Sequence, residues 1–578
     1  MMWATFAAAI VAGVLQGFSM AWPQFAWGEW LGITGQSLGG LQCLSLALLA
    51  ALLLHIASQE LEYKASAPYS SYASKARKRS SPTSQGFWTA GIFSTAAMCS
   101  TWGWLYVSMH QFGGLPEWLA ALAVLLLAMA LSLYFAIAGG LWVAIFRRYL
   151  LQSRLQEGRY ATHRPDMLWP ELKLGLTGVF LFAALWTLAE LARGQWFTGF
   201  PWGAGGYAHT QSLWSAFAPW LGVYGIGLIS AGVAMSLPLA WSLLMASRTR
   251  AWQYLAISVL GVVAVLPWGM NQSQHTWTQA GEKMVARLLQ GNIPQDEKFI
   301  PGQGIRIALN WYGEELRNSR ETLIVTPETA IPVLPRNLPD TYWQPLKDKY
   351  QAQTAHSQNQ QLALVGIPMG GAGEGYSNSV LAFGAAPLNY RYDKQHLVPF
   401  GEFIPPFFQW FVRLMNIPLG DFEQKKSNAG VLTWQGQRLL PQICYEDLFG
   451  EEMAQYFQNE SQAPTVLVNM SNLAWFGQTT APAQHAYISS MRALEFQRPV
   501  IRATNTGLTA FMDAKGKVST FLTPFTRGAL VGEFEGRTGL TPYARWVSQW
   551  GLLPLWLICA AIVLVLGLFS LRARSRAL

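Results

Sequence analysis

Apolar residues run along this chain in long blocks, without the frequent charges of a soluble protein. No Asp, Glu, Lys or Arg occurs in 1–28, 30–59, 80–116, 118–146, 194–247, 251–281 or 546–571. A helix needs about 20 mostly apolar residues to cross the hydrocarbon core of a bilayer, and these blocks supply them. The pattern predicts eight membrane spans, near 3–21, 38–57, 86–108, 118–146, 173–192, 217–246, 251–270 and 550–571. Glu190 and Arg193 stand at the end of the fifth. No Lys or Arg precedes the first, so it reads as a retained helix and not as a signal peptide.

Between 271 and 549 the pattern changes. Short apolar runs at 284–290, 322–326, 362–367, 379–383, 438–443, 465–470 and 500–504 read as strands. Helical spacing appears between some of them, with Ile305, Leu309, Tyr312 and Leu316 in 303–319, and Tyr487, Met491 and Leu494 in 482–497. Strands alternating with helices predict an α/β layered domain. The expected organisation is a membrane domain of seven helices over 1–270, a globular domain over 271–549, and a final span with a basic tail over 550–578. The Gly-rich stretch 370–375 lacks the full dinucleotide-binding pattern and reads as a loop between strands.

Charge orients this scheme. Lys64, Lys75, Arg77, Lys78 and Arg79 follow the second span, and Arg147, Arg148, Arg154, Arg159 and Arg164 the fourth. Arg248 and Arg250 follow the sixth, and Arg572, Arg574 and Arg576 the eighth. All four groups fall after even-numbered spans, and basic loops stay in the cytoplasm. Both termini are therefore expected in the cytoplasm and 271–549 on the far side. The net charge of +9 reflects these loops, so nucleic-acid binding is not expected. With 51% hydrophobic and only 12% charged residues, the composition excludes an ordinary soluble protein. Its 13% aromatic residues exclude disorder.

Candidate chemistry starts from the cysteines. Cys43, Cys99 and Cys559 lie in apolar spans, where packed thiols are the rule, and Cys444 is the one cysteine of 271–549. An unpaired thiol outside the cytoplasm points to a reactive residue. No His/Cys cluster has metal spacing, and no cofactor is expected. Cys444 ends a strand-like run in Ile443-Cys444-Tyr445-Glu446-Asp447, Glu328 follows another in Thr326-Pro327-Glu328-Thr329, and Lys394 stands in Tyr392-Asp393-Lys394-Gln395-His396. Chemistry in open α/β sheets collects beyond the carboxyl ends of the strands. A thiol nucleophile needs a base, for which Glu328 is suited. A neighbouring ammonium lowers the thiol pKa and stabilises an oxyanion, for which Lys394 is suited.

These three residues with their flanks resemble the Glu-Lys-Cys triad of the carbon–nitrogen hydrolase (nitrilase) superfamily. Nearly the whole chain resembles the apolipoprotein N-acyltransferases, bacterial inner-membrane enzymes of lipoprotein maturation. The segments that carry it are Phe112-Gly113-Gly114, Thr198-Gly199-Phe200-Pro201-Trp202, Gln290-Gly291-Asn292-Ile293-Pro294-Gln295, Ala474-Trp475-Phe476-Gly477, Met491-Arg492-Ala493-Leu494-Glu495 and Gly539-Leu540-Thr541-Pro542-Tyr543-Ala544-Arg545. The resemblance implies a nitrilase-type αββα sandwich on an eight-helix membrane base, with no metal or nucleotide. It makes Glu328 the base, Lys394 the oxyanion stabiliser and Cys444 the nucleophile, with Glu402, Tyr445 and Glu446 in support. Phe299, Trp410, Trp475 and Phe476 become candidates for substrate contact. Phe299 stands where familiar members have Trp, and Asn472-Leu473-Ala474-Trp475-Phe476 departs from their Asn-Asp-Ala-Trp-Phe run.

The implied reaction moves an acyl chain from a membrane phospholipid to Cys444, then to the α-amine of the N-terminal diacylglyceryl-cysteine of an apolipoprotein. Its partners would be the phospholipid donor, the apolipoprotein acceptor and the bilayer, with the catalytic domain in the periplasm and the protein a monomer. Residues 403–419 (FIPPFFQWFVRLMNIPL) are apolar but interrupted by Pro405, Pro406 and Arg413. They read as an arm resting at the bilayer interface or as a core element. A tethered amidase or nitrilase acting on a small substrate is the rival within the same chemistry. A transporter or receptor is the rival outside it, although no span carries a charge at its middle.

Overall fold

The expected spans coincide with helices wherever the structure, a computed structural model, describes them. It describes residues 2–66, 81–160, 168–246, 275–300, 302–351, 360–371, 375–385, 389–403 and 429–575. The helices are Met2–Phe18, Gly39–Ser66, Pro82–Thr101, Glu117–Tyr160, Leu168–Gln195, Ala218–Ala246 and Leu553–Ser575. The expected span at 251–270, the basic groups at 75–79 and 248–250, and residues 404–419 with Trp410 lie outside the described residues.

Of the seven expected spans that fall on described residues, five are helical stretches long and apolar enough to cross a membrane: Gly39–Gln59, Glu117–Ser153, Lys173–Thr198, Leu213–Ser242 and Leu553–Arg572. Met2–Phe18 has 17 residues. Pro82–Thr101 is rich in Ser, Thr and Gly, because it is an inner helix that packs closely on Glu117–Tyr160. Gly86 faces Val143, and a Cβ on Gly139 would lie 2.4 Å from the Ala90 Cβ. Small residues of this kind let membrane helices approach where no hydrophobic drive exists between them.

The second half builds two six-stranded sheets. Its strands are β1 (Gln279–Gln290), β2 (Leu323–Val325), β3 (Leu362–Gly371), β4 (Gly375–Phe383), β5 (Tyr390–Asp393), β6 (Leu432–Trp434), β7 (Gln437–Ile443), β8 (Val466–Ser471), β9 (Val500–Thr504), β10 (Thr509–Met512), β11 (Val518–Leu522) and β12 (Gly528–Thr538). One sheet runs β12-β1-β2-β3-β4-β5 and the other β11-β10-β9-β8-β7-β6. Side chains alternate between two apolar layers, as a strand requires. Leu323, Val325, Leu362 and Leu364 of the first sheet meet Leu439, Ile443, Val466 and Val468 of the second. Ile324, Ala363 and Val365 face outward onto the helices Gly304–Asn318 and Asp340–Gln351. Leu440 and Leu467 face outward onto the helix Ala481–Phe496. The result is an αββα sandwich.

This sandwich stands on the helical base through specific polar contacts. Gln484 donates from Nε2 to the Thr101 carbonyl (3.1 Å) and accepts at Oε1 from the indoles of Trp104 (3.1 Å) and Trp202 (2.7 Å). At Gly222 the helix Ala218–Ala246 breaks with φ +65°. The freed N–H of Val223 donates to Glu495 Oε1 at 2.8 Å.

Candidate active site

Glu328, Lys394 and Cys444 each stand just beyond a strand's carboxyl end: three residues after β2, one after β5 and one after β7. The first two come from one sheet and the third from the other, so the site lies across the sandwich. Lys394 Nζ is 3.4 Å from Glu328 Oε1 and 2.8 Å from Glu402 Oε2. Asn378 on β4 donates from Nδ2 to Glu328 Oε1 (2.6 Å) and to Glu402 Oε1 (3.1 Å). The main-chain N–H of Asn472 donates to Glu328 Oε2 at 2.8 Å, and that of Val398 to Glu402 Oε2 at 2.8 Å. One ammonium thus joins two buried carboxylates, and every carboxylate oxygen has a donor.

Electrostatics follow from this packing. Burial opposes the charge on Lys394, but Glu402 and then Glu328 hold its pKa above the usual lysine range. Cys444 is partly exposed, yet burial of the thiol and then the Glu328 carboxylate push its pKa up, against the pull of Lys394. The resting thiol keeps its proton and needs a base to lose it. Cys444 also adopts φ +53°. A non-glycine residue in that region costs on the order of 1–3 kcal/mol and persists only where its surroundings impose it.

The supporting residues divide into three groups. Glu402 belongs to the cluster itself. Glu446 does not touch Lys394; it accepts from the N–H of Ile443 (2.7 Å) and Gln395 (2.6 Å) and from the Tyr392 hydroxyl (2.8 Å). It thereby ties the segment carrying Lys394 to the turn carrying Cys444. Burial pushes its pKa up to about 7, against these donors. Tyr445 points to the membrane base, donating from its hydroxyl to the Gly199 carbonyl (3.1 Å) beside the Phe200 ring.

The aromatic candidates are spread around the site. Phe476 packs on Trp104 (centroids 4.4 Å apart) and Trp475 approaches Phe112 (6.1 Å), so both meet the base. Phe299 lies partly buried, beside the ammonium of Lys298. Trp410 falls outside the described residues.

Sequence reasoning missed Asn378, Asn472 and Lys298. Lys298 is buried and donates from Nζ to the Glu328 carbonyl at 3.3 Å. Burial lowers its pKa to about 8, against Glu328 and Cys444. Asn472 is further held by Gln295 Oε1 (2.9 Å) and Asn505 Nδ2 (3.0 Å). No local pattern marks these residues, although Asn472 and Gln295 lie in segments already noted for their resemblance. Among the described residues, no group of three or more His, Cys, Asp or Glu could hold a metal ion.

Known proteins show the family of this chain. An apolipoprotein N-acyltransferase of Verminephrobacter eiseniae (strain EF01-2) is 43% identical over 94% of this chain and 92% of its own. This chain belongs to the apolipoprotein N-acyltransferase family. Another member, from Ralstonia nicotianae (strain ATCC BAA-1114 / GMI1000), is 42% identical over 79% of this chain and 81% of its own. Residues 50–236 match the family described as apolipoprotein N-acyltransferase N-terminal domain, and residues 287–543 match carbon-nitrogen hydrolase. A solved carbon-nitrogen hydrolase from Helicobacter pylori G27 aligns over 47% of this chain and 95% of its own at a TM-score of 0.32 and 12% identity, too loosely to bear on the site. The membrane helices and the nitrilase-type domain are thus the two halves of one family architecture.

Proposed function

We propose that this chain transfers an acyl chain from a membrane phospholipid to the α-amine of the N-terminal diacylglyceryl-cysteine of an apolipoprotein, through a thioester on Cys444. The observation that carries the reading is the buried Lys394, joined to Glu328 and Glu402 beyond the strand ends that also present Cys444. Glu328 takes the thiol proton as sulfur attacks the ester carbonyl. Lys394 faces the oxyanion that forms, a stabilisation that mutagenesis elsewhere values at about 10²–10³ in rate for one donor. The tetrahedral intermediate expels the lysophospholipid alkoxide, which receives the proton from Glu328. The neutral acceptor amine then attacks the thioester, passes a proton to Glu328 and forms the amide. The departing Cys444 thiolate recovers that proton.

The contacts of Tyr445, Trp475 and Phe476 with the base support a site opening toward lipid. We assign residues 271–549 to the periplasm, both termini to the cytoplasm and the protein to the inner membrane as a monomer, following the Lys and Arg distribution.

The test is intact mass after exposure to phospholipid alone. One acyl chain should appear on Cys444, removable by hydroxylamine, with lysophospholipid released. It should persist until an amine acceptor is added, because a transferase must exclude water. Rapid release of free fatty acid without an acceptor would make the protein a hydrolase instead.

A further inference from the structure

Behind Cys444 lies a buried histidine that the proposed reaction does not use. His485, on the helix Ala481–Phe496, is fully buried, and its Nε2 stands 3.2 Å from the Cys444 carbonyl oxygen. Asn469 Nδ2 of β8 reaches the same oxygen at 3.5 Å. On the other edge of the ring, Nδ1 is 2.5 Å from a terminal guanidinium nitrogen of Arg502 on β9. A guanidinium only donates, so Nδ1 carries the lone pair and Nε2 the hydrogen. Burial, then the charge of Arg502, keep the imidazole pKa well below the usual range, which leaves the ring neutral.

Arg502 is itself fixed. It donates to Ser489 Oγ (2.7 Å), Asn469 Oδ1 (3.3 Å) and the Leu508 carbonyl (3.1 Å), and lies 3.9 Å from Asp447. Ser489 in turn donates to Asp447. The imidazole stacks on Trp202 of the base at 5.5 Å and 27°. Every atom that sets the ring's place and tautomer is therefore held.

The carbonyl that receives this hydrogen bond belongs to the strained residue, Cys444 with φ +53°. It is also half of a planar trans peptide. Its partner, the N–H of Tyr445, points the opposite way across that plane. Holding the carbonyl fixes that plane and the direction of the Tyr445 N–H; with the preceding Ile443 N–H held by Glu446, it also constrains rotation about the Cys444 Cα–C bond and so the direction in which the side chain leaves the backbone.

We propose that His485, locked by Arg502, is a positioning residue for the nucleophile: its Nε2–H holds the Cys444–Tyr445 peptide and thereby aims the sulfur. The proposal rests on the reading of Cys444 as nucleophile given above. A histidine that merely fills space between Trp202 and β9 would not depend on where its hydrogen-bond donor sits, and this separates the two roles.

Two amides make the distinction. A glutamine amide reaches the position of Nε2, whereas an asparagine amide reaches only that of Nδ1. His485→Gln and His485→Asn are compared in the full-length protein by the rate of thioester formation from phospholipid, followed by intact mass. His485→Gln should stay within about fivefold of the parent, and His485→Asn should fall about a hundredfold, the scale of a small misplacement of a reacting group. The loss should appear in kcat with KM for phospholipid unchanged, and the two variants should melt at similar temperatures. Equal rates in the pair, a loss confined to KM, or absence of a cooperative melting transition in both would show a packing role and overturn the proposal. Cys444→Ala runs alongside. An adduct that survives in it defeats the nucleophile assignment, whereas its absence together with equal Gln and Asn rates defeats the role of His485 alone.

Discussion

The helical base and the sandwich above it satisfy their buried polar groups in different ways. In the base, several hydroxyls turn back onto their own helix: Thr95 donates to the Gly91 carbonyl, Thr101 to Ala97 and Thr177 to Lys173, each four residues away, while Gln42 gathers Ser230 and His209 from across the bundle. In the sandwich, the partners come from distant sequence. Lys394 meets Glu328 across 66 positions, and Asn472 meets Glu328 across 144. The difference teaches where each half is vulnerable. The base depends on close contact of small residues, where a new methyl group has no room. The sandwich depends on charge balance within one cluster, where a lost partner leaves a buried ion alone.

The largest expected effect is on the sandwich alone. Cys444→Ala should abolish the acyl adduct and turnover while the protein still melts cooperatively, since a small partly exposed side chain is being shortened. Undiminished acylation in this variant would remove the thiol from the reaction.

Lys394→Met should act on both chemistry and stability. The two carboxylates would share a buried site without their cation, and breaking a buried pair costs about 3–5 kcal/mol. Thioester formation should fall about 10²–10³-fold. A variant that folds as well as the parent would show that the cluster is less dependent on its cation than the geometry requires.

The base should respond to the opposite kind of change. Gly139→Leu would drive a side chain into Ala90 and the Gly86 carbonyl, and overpacking of this kind costs about 1–3 kcal/mol. Melting in detergent should drop, while the acylation rate per folded molecule should hold. A selective loss of rate would mean that this helix contact transmits to the site, and the contrast between the halves would weaken.

The last expected effect, spread over more than two pH units, is a pH dependence. Lys298 has a pKa of about 8 in the folded protein, lowered from 10.5 chiefly by burial. Below pH 8 it is protonated in both states, and the folded state bears the cost of burying the charge. Between 8 and 10.5 the unfolded chain binds more protons, so this group makes the folded state more stable as pH rises. Lys298→Met should remove that rise. Its melting temperature should gain most on the parent below pH 8, and the advantage should shrink toward pH 10. A pH-independent difference between the two proteins would contradict the buried charge.

Burial patterns explain how much of this was legible in the chain. The seven strand-like runs fall on β1, β2, β3, β4, β7, β8 and β9, because each of these strands turns a row of apolar side chains into the core. The exposed β11 and the short β5, β6 and β10 carry no comparable apolar signal. Lack of charge marks the helix Pro82–Thr101 in the sequence, but its Ser, Thr and Gly content is explained only by the neighbour it faces. Glu402 and Glu446 were both expected to support the site. Only the fold separates them, the first bound to Lys394 and the second clamping the two segments that carry Lys394 and Cys444.

By itself, the sequence determined the membrane blocks, the position of the α/β domain between them and the identity of Glu328, Lys394 and Cys444 as candidates. These are properties of local composition, of strand and helix period, and of short motifs, which a linear chain carries unchanged. Only the tertiary structure decided that Asn378, Asn472 and Lys298 hold Glu328, and that His485 and Arg502 hold the carbonyl of Cys444. Those contacts join strands of two sheets and the helix above them. A hydrogen bond constrains atoms within about 3 Å of each other, and packing alone sets which residues come that close.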